Sequence, residues 1–148
     1  MATKANAGAL TAGPGADAIS LPTASPCSQR GAEIPAAVFV KTSQRVQAWF
    51  MVCSSPAHLR VSLSQVSSTA HGGAVLFEQD IPPPNPVALE LGPLPPGRYL
   101  VHWGYIVAGP SWEVVAEIIV DDVTRFRKRN TAADSLPANT IFAFVEVS

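Results

Sequence analysis

The stretch Leu94-Pro95-Pro96-Gly97-Arg98-Tyr99-Leu100-Val101-His102-Trp103-Gly104-Tyr105 constrains the fold more than any other part of the chain. Proline fixes φ ahead of a tight corner, and Gly97 can take the positive φ that such a corner needs. The strand launched there alternates Tyr99, Val101, Trp103 and Tyr105 on one face with Leu100, His102, Gly104 and Ile106 on the other. Large residues at every second position suit a half-buried strand.

The flanking sequence repeats this pattern. Ala37–Val40 reads as a short strand. In the run from Arg45 to Cys53, Val46, Ala48, Phe50 and Val52 share one face, while Gln47, Trp49, Met51 and Cys53 share a second face that is also largely apolar. A strand apolar on both sides is central in its sheet or has its outer face covered. His58 to Val66 alternates Leu59, Val61 and Leu63 against His58, Arg60, Ser62 and Ser64. Further strands are predicted over Ala74–Gln79, Val87–Leu91, Trp112–Val120 and Ile141–Val147. Asp121 to Asn139 reads as polar and irregular. The chain holds 14 prolines, mostly clustered, which disfavour long helices. The expectation is an all-β chain: a single antiparallel β-sandwich of about eight strands, immunoglobulin-like or jelly-roll, with Val46, Phe50, Leu59, Val61, Leu63, Tyr99, Val101, Val114 and Ile118 in its core.

Residues 1–35 differ in kind. They are Ala, Gly, Thr, Ser and Pro with scattered Leu10, Ile19, Leu21 and Ile34, too little apolar surface to offset the entropy of ordering. The division expected is a flexible N-terminal arm, 1–35, and a sandwich domain, 36–148. The start lacks the apolar core of a secretory signal, and no apolar run has the length of a membrane span. A cytoplasmic protein, or one incorporated into a virion, fits that reading. In a reducing compartment Cys27 and Cys53 are expected to be free thiols, with a native bridge as the alternative.

The corner string Leu94-x-Pro96-Gly97-x-Tyr99, continued by Val101 and Trp103, resembles the corner that enters a late strand of immunoglobulin-like and fibronectin-III-like sandwiches. The resemblance implies that the tyrosine hydroxyl ties back to the preceding loop. The same string is similar to the corner of CopC-like copper-binding domains. That family carries copper on an N-terminal amine and histidines. This chain has a long Ala/Gly tail after Met1, and Ala108-Gly109-Pro110-Ser111-Trp112 where the family places Asp-Gly-His.

The chemical candidates are few. His58, His71 and His102 show no metal-ligand spacing, although His58 and His102 share the more polar face and could pair across strands. Glu113 and Glu117 point the same way on one strand. A carboxylate pair can serve acid–base chemistry, but two acids on the solvated side of a strand need no such role. No nucleophile elbow or phosphate loop is present in the sequence, and no cofactor and no enzymatic activity are expected. Arg125-Phe126-Arg127-Lys128-Arg129 is the one cationic run, read as a solvated loop or as a contact to a neighbour's acids ahead of a grip on nucleic-acid phosphate. Trp49, Trp103 and Trp112 would stack on sugar rings if exposed, and would be core if not.

Hydrophobic residues make up 47% of the chain and charged residues 14%, with a net charge of -1. That balance gives no general pull toward nucleic acid or an anionic membrane, and it leaves a low-charge surface that a partner would cover. The expectation is a non-enzymatic structural or assembly protein, such as a coat, decoration or adaptor subunit of a viral or phage particle. Its arm would order on contact with neighbouring copies in a homo-oligomer or larger assembly. A carbohydrate-binding or other recognition module is the alternative, and a CopC-like copper carrier a weaker one.

Overall fold

The structure, a computed structural model, describes residues 26–66, 73–107, 109, 111–133 and 139–148. Residues 1–25 of the expected arm, and His71, lie outside the described residues. The described chain is all-β. Its nine strands are β1 (Val38–Val40), β2 (Val46–Val52), β3 (Ala57–Gln65), β4 (Ala74–Ile81), β5 (Val87–Glu90), β6 (Gly97–Val107), β7 (Glu113–Val120), β8 (Val123–Thr131) and β9 (Thr140–Val147). They form a five-stranded sheet A in the order β1-β9-β6-β3-β4 and a four-stranded sheet B in the order β5-β2-β7-β8.

Two features depart from the sequence expectation. Val123–Thr131, inside the region read as irregular, is a full strand paired antiparallel with β7. The pairing is also not antiparallel throughout, since β1 runs parallel to β9 with Val38 opposite Val145.

The inner faces of the two sheets meet in one core. From sheet A come Leu59, Val61, Tyr99, Val101, Trp103, Ile141 and Val145, and from sheet B Val46, Phe50, Val114, Ile118 and Phe126. Leu63 is half-buried and packs against this core. The central strand β6 alternates as its sequence dictates, burying Tyr99, Val101, Trp103 and Tyr105. Trp103 lies nearly parallel to Phe126 at 6.1 Å between ring centroids, joining the middle of sheet A to the edge of sheet B.

The corner before β6 has the geometry its residues imply. Tyr99 donates its hydroxyl to the carbonyl of Pro95 at 2.7 Å, and Leu94 packs against the core. Gly97 has φ 152°, and a Cβ there would sit 2.8 Å from Gln65 Nε2. A side chain at this position would therefore be strained and crowded.

Candidate functional site

The two outer faces of the sandwich differ sharply, and the difference begins in residues 26–34. Although they have the composition of the arm, they run as a strap across the outside of sheet B. Cys27 is fully buried and disulfide-bonded to Cys53, with 6.0 Å between their Cα atoms. This corrects the expectation of two free thiols. Both cysteines lie on the outer side of sheet B, where the strap and the end of β2 come together. After a 3-10 turn over Ser28–Arg30, Ile34 exchanges two backbone hydrogen bonds with Arg127, of 2.9 and 3.2 Å, capping the free edge of β8.

Beneath the strap lies a second apolar cluster of Cys27, Trp49, Met51 and Val115, with Cys53 and Ile119 against it. This explains why β2 is apolar on both sides. It is central in sheet B, and its outer face is covered. The Arg30 guanidinium sits 4.1 Å from the centre of the Trp49 ring.

Glu117, expected on a solvated face, is fully buried here. Arg30 donates to both of its carboxylate oxygens, at 2.9 and 2.6 Å, Arg127 donates at 2.8 Å and Thr124 at 3.1 Å. Burial alone would raise its pKa, but the hydrogen bonds from Arg30 and Arg127 outweigh that and hold it below the ordinary carboxylate value. With its oxygens satisfied by two cations it is a structural anchor for the strap. Glu113, on the same strand, is only partly exposed and pairs with Arg129 at 3.3 Å.

The cationic run is likewise accounted for within the chain. It is not a loop but the body of β8. Phe126 enters the core, Arg127 pairs with Glu117, Lys128 with Glu33 at 3.2 Å, and Arg129 with Glu113. The backbone amide of Arg129 also donates to Glu33, which lowers the pKa of that carboxyl. Arg125 and Lys128 are the exposed members of the run. The tryptophans do not form a stacking platform. Trp103 is in the core, Trp49 lies under the strap, and Trp112 packs half-buried against the edge of Tyr105.

Sheet A presents the opposite picture. Its outer face carries Phe39 at 67% exposure, Phe142 at 50%, Phe144 at 47% and Ile106 at 70%. Cross-strand register places Phe144 opposite Leu100 and Phe142 opposite His102, with the His102 and Phe142 rings stacked at 4.6 Å. Where Gly104 leaves a gap, a groove of about 390 Å³ opens among His58, Arg60, Glu78, Ile106 and Thr140. Charges stand at the two ends of the face. Arg98 pairs with Glu146 at 3.2 Å at one end, and at the other His58 lies 3.0 Å from Glu78 and 2.7 Å from Asp80.

His58 and His102 do not pair. His58 stands opposite Ile106 and His102 opposite Ser62, four positions apart along the same strand pair. Among the described residues no group of three potential metal-ligating side chains converges, and no helix is long and apolar enough to cross a membrane. The outer residues of β6 are legible from its alternation, whereas Phe39, Phe142, Phe144 and the strap carry no motif that marks them. The alternation Ile141-Phe142-Ala143-Phe144-Val145, large on both faces, was the available signal.

No family model matches the chain, and neither a curated protein nor a solved structure matches it significantly.

Proposed function

We propose that this chain is a non-enzymatic structural or assembly protein, a β-sandwich tile that works by docking other protein chains, as coat, decoration and adaptor subunits of viral and phage particles do. The observation that carries this reading is the asymmetry of the two outer faces. The chain covers the outside of sheet B with its own strap and leaves a phenylalanine-bearing sheet face open on sheet A. An apolar sheet face of that size left to water is a liability for a free monomer and a resource for an interface.

The arm belongs to the same proposal. Residues 26–34 illustrate how this N-terminal sequence holds a sheet: a buried thiol bridge, a guanidinium on a carboxylate, and one backbone bridge at a strand edge. Residues 1–25 would supply further ties to neighbouring subunits. The Pro95–Tyr99 corner entering the centre of sheet A supports an immunoglobulin-like reading of the sandwich, while the β7–β8 hairpin added beside β2 sets this chain apart from the simple form of that fold.

Light scattering after size exclusion tests the proposal on the full chain and on a chain lacking residues 1–25, which keeps Cys27 and Arg30. A large particle formed only by the full chain is the expected result. Identical monomers or identical small oligomers from both lengths would reject arm-tied assembly.

A further inference from the structure

We infer that the outer face of sheet A is where two copies of this chain meet, face to face about a two-fold axis. This rests on the assembly reading and names one contact within it.

The face has the size of an interface. Five strands at a spacing of about 4.8 Å, averaging about eight residues at about 3.3 Å each, make a face of about 620 Å², at the lower end of the ~600–1,000 Å² that each partner gives to an interface of standard size. Its layout fits one as well. Phe142, Phe144 and Leu100 occupy the middle strands, and the ion pairs stand at the ends, the arrangement of apolar centre and polar rim found in stable interfaces.

The charge pattern favours a second copy over a foreign partner. The face carries both signs of charge, Arg98 and Arg60 with His58 against Glu146, Glu78 and Asp80, and these are already paired across strands within the face. A partner of one sign finds no complement there, whereas a second copy meets a surface whose charges are locally neutralised and strands none of its own. The face also holds both a ridge and a hollow. Leu100 and Phe144 stand opposite each other on β6 and β9, and four positions along β6 the missing side chain of Gly104 leaves the groove. An axis crossing the strands at the Phe142–His102 row carries the Leu100–Phe144 ridge of each copy onto the Gly104–Thr140 groove of the other. Each ridge then fills a hollow twice over, as an isologous contact requires. On that axis Phe142 meets Phe142 of the second copy.

The test uses the full-length chain. Sedimentation across a concentration series is expected to show a monomer–dimer equilibrium, with Phe142→Asp and Phe144→Asp each weakening it about ten- to hundredfold. Val123→Asp, an exposed position on sheet B, leaves it unchanged. The described chain has no free cysteine, so Phe142→Cys introduces a single thiol. Mild oxidation should link Phe142→Cys into a covalent dimer and leave Val123→Cys monomeric. Radical footprinting of the unaltered protein gives an independent readout, with Phe39, Phe142 and Phe144 protected at high concentration.

A chain monomeric at every concentration overturns the inference. So does a dimer indifferent to both aspartate variants or unable to cross-link through position 142. A dimer of this kind in a chain that forms no larger particle keeps the face contact and rejects arm-tied assembly. An arm-dependent particle untouched by the face variants does the reverse.

Discussion

Arg30 closes both ends of its guanidinium on the carboxylate of Glu117, 87 positions later, with Nε 2.9 Å from Oε2 and Nη2 2.6 Å from Oε1. The contact joins a segment with the composition of a loose arm to the most buried acid in the sandwich. Glu117 has no exposed side-chain surface and Arg30 is about one-third exposed. The pair therefore sits where charge is expensive to leave unmatched but water still reaches one partner. Arg30→Ala leaves Arg127 and Thr124 on the carboxylate and should cost about 1–3 kcal/mol. Glu117→Ala removes the shared acceptor of both arginines and should cost more, about 3–5 kcal/mol. Chemical denaturation of the two variants checks the order, and an equal or reversed cost would mean that the acid is not the anchor.

Glu117 also sets the behaviour in acid. Its pKa in the folded chain lies below the ordinary glutamate value of 4.5, so its contribution is fully present above that value and is lost as pH falls through the lower folded pKa. Between those limits the unfolded chain binds the proton and the folded chain does not, so unfolding gains with each step toward acid. Glu33 is lowered in the same direction, first by the Arg129 amide, and shares the window. Thermal melts from pH 6 to pH 3 should show a stability loss that is shallower in Glu117→Gln, which has no proton to take up.

The strap depends on a covalent tie as well. The Cys27–Cys53 bridge closes a loop with a sequence separation of 26, for which chain-entropy arguments give about 2–4 kcal/mol. A Cys27→Ala/Cys53→Ala double variant should unfold at correspondingly lower denaturant concentration. It should also expose Trp49, which a red-shifted fluorescence emission in the still-folded protein would report. Unchanged stability together with unchanged Trp49 burial would show that the strap is held without the bridge.

The parts of this fold that were legible in the sequence are those in which a residue and its neighbours at i±2 decide the outcome. The alternation of β3, β6 and β9 and the Gly97–Tyr99 corner are local, and their faces follow from period two. What could not be read depends on distant chain. Glu117 lies on an outer face by its period, but only the arrival of Arg30 makes that face an interior. The β8 strand was hidden because Phe126 is its one buried residue, while Arg127, Lys128 and Arg129 pair with acids on β7 and the strap. The paired cysteines were hidden for the same reason, since spacing cannot say that Cys27 returns across sheet B to Cys53. The open phenylalanine face was in principle visible in β9, where both sides of the strand are apolar, but the same pattern in β2 marks a covered face. Period alone cannot tell which face the chain itself will cover.

The Tyr99 hydroxyl offers a narrower test of the corner. Its bond to the Pro95 carbonyl is half-buried, so Tyr99→Phe keeps the ring in the core and leaves only that carbonyl without its donor. The expected loss is about 1 kcal/mol, read as a shift of the denaturation midpoint with no change in its slope.

The two described histidines titrate in opposite directions, and both stand on the face assigned to self-contact. Hydrogen bonds to Glu78 first and Asp80 second raise the pKa of His58 above 6.5. Its contribution is therefore complete below 6.5 and disappears as pH rises through the folded value. Burial against Phe142, and then the charge of Arg60, lower the pKa of His102. The folded chain resists protonating it, so this group costs stability as pH falls below 6.5. A second copy laid over Phe142 removes more water from His102 and should lower its pKa further, while His58, at the rim among carboxylates, should move little. Proton NMR titration of the imidazole resonances at low and high protein concentration separates these effects. His58 should titrate above 6.5 and His102 below it, with only His102 moving on concentration. Movement of neither histidine, or of His58 alone, would place the contact away from the Phe142 row.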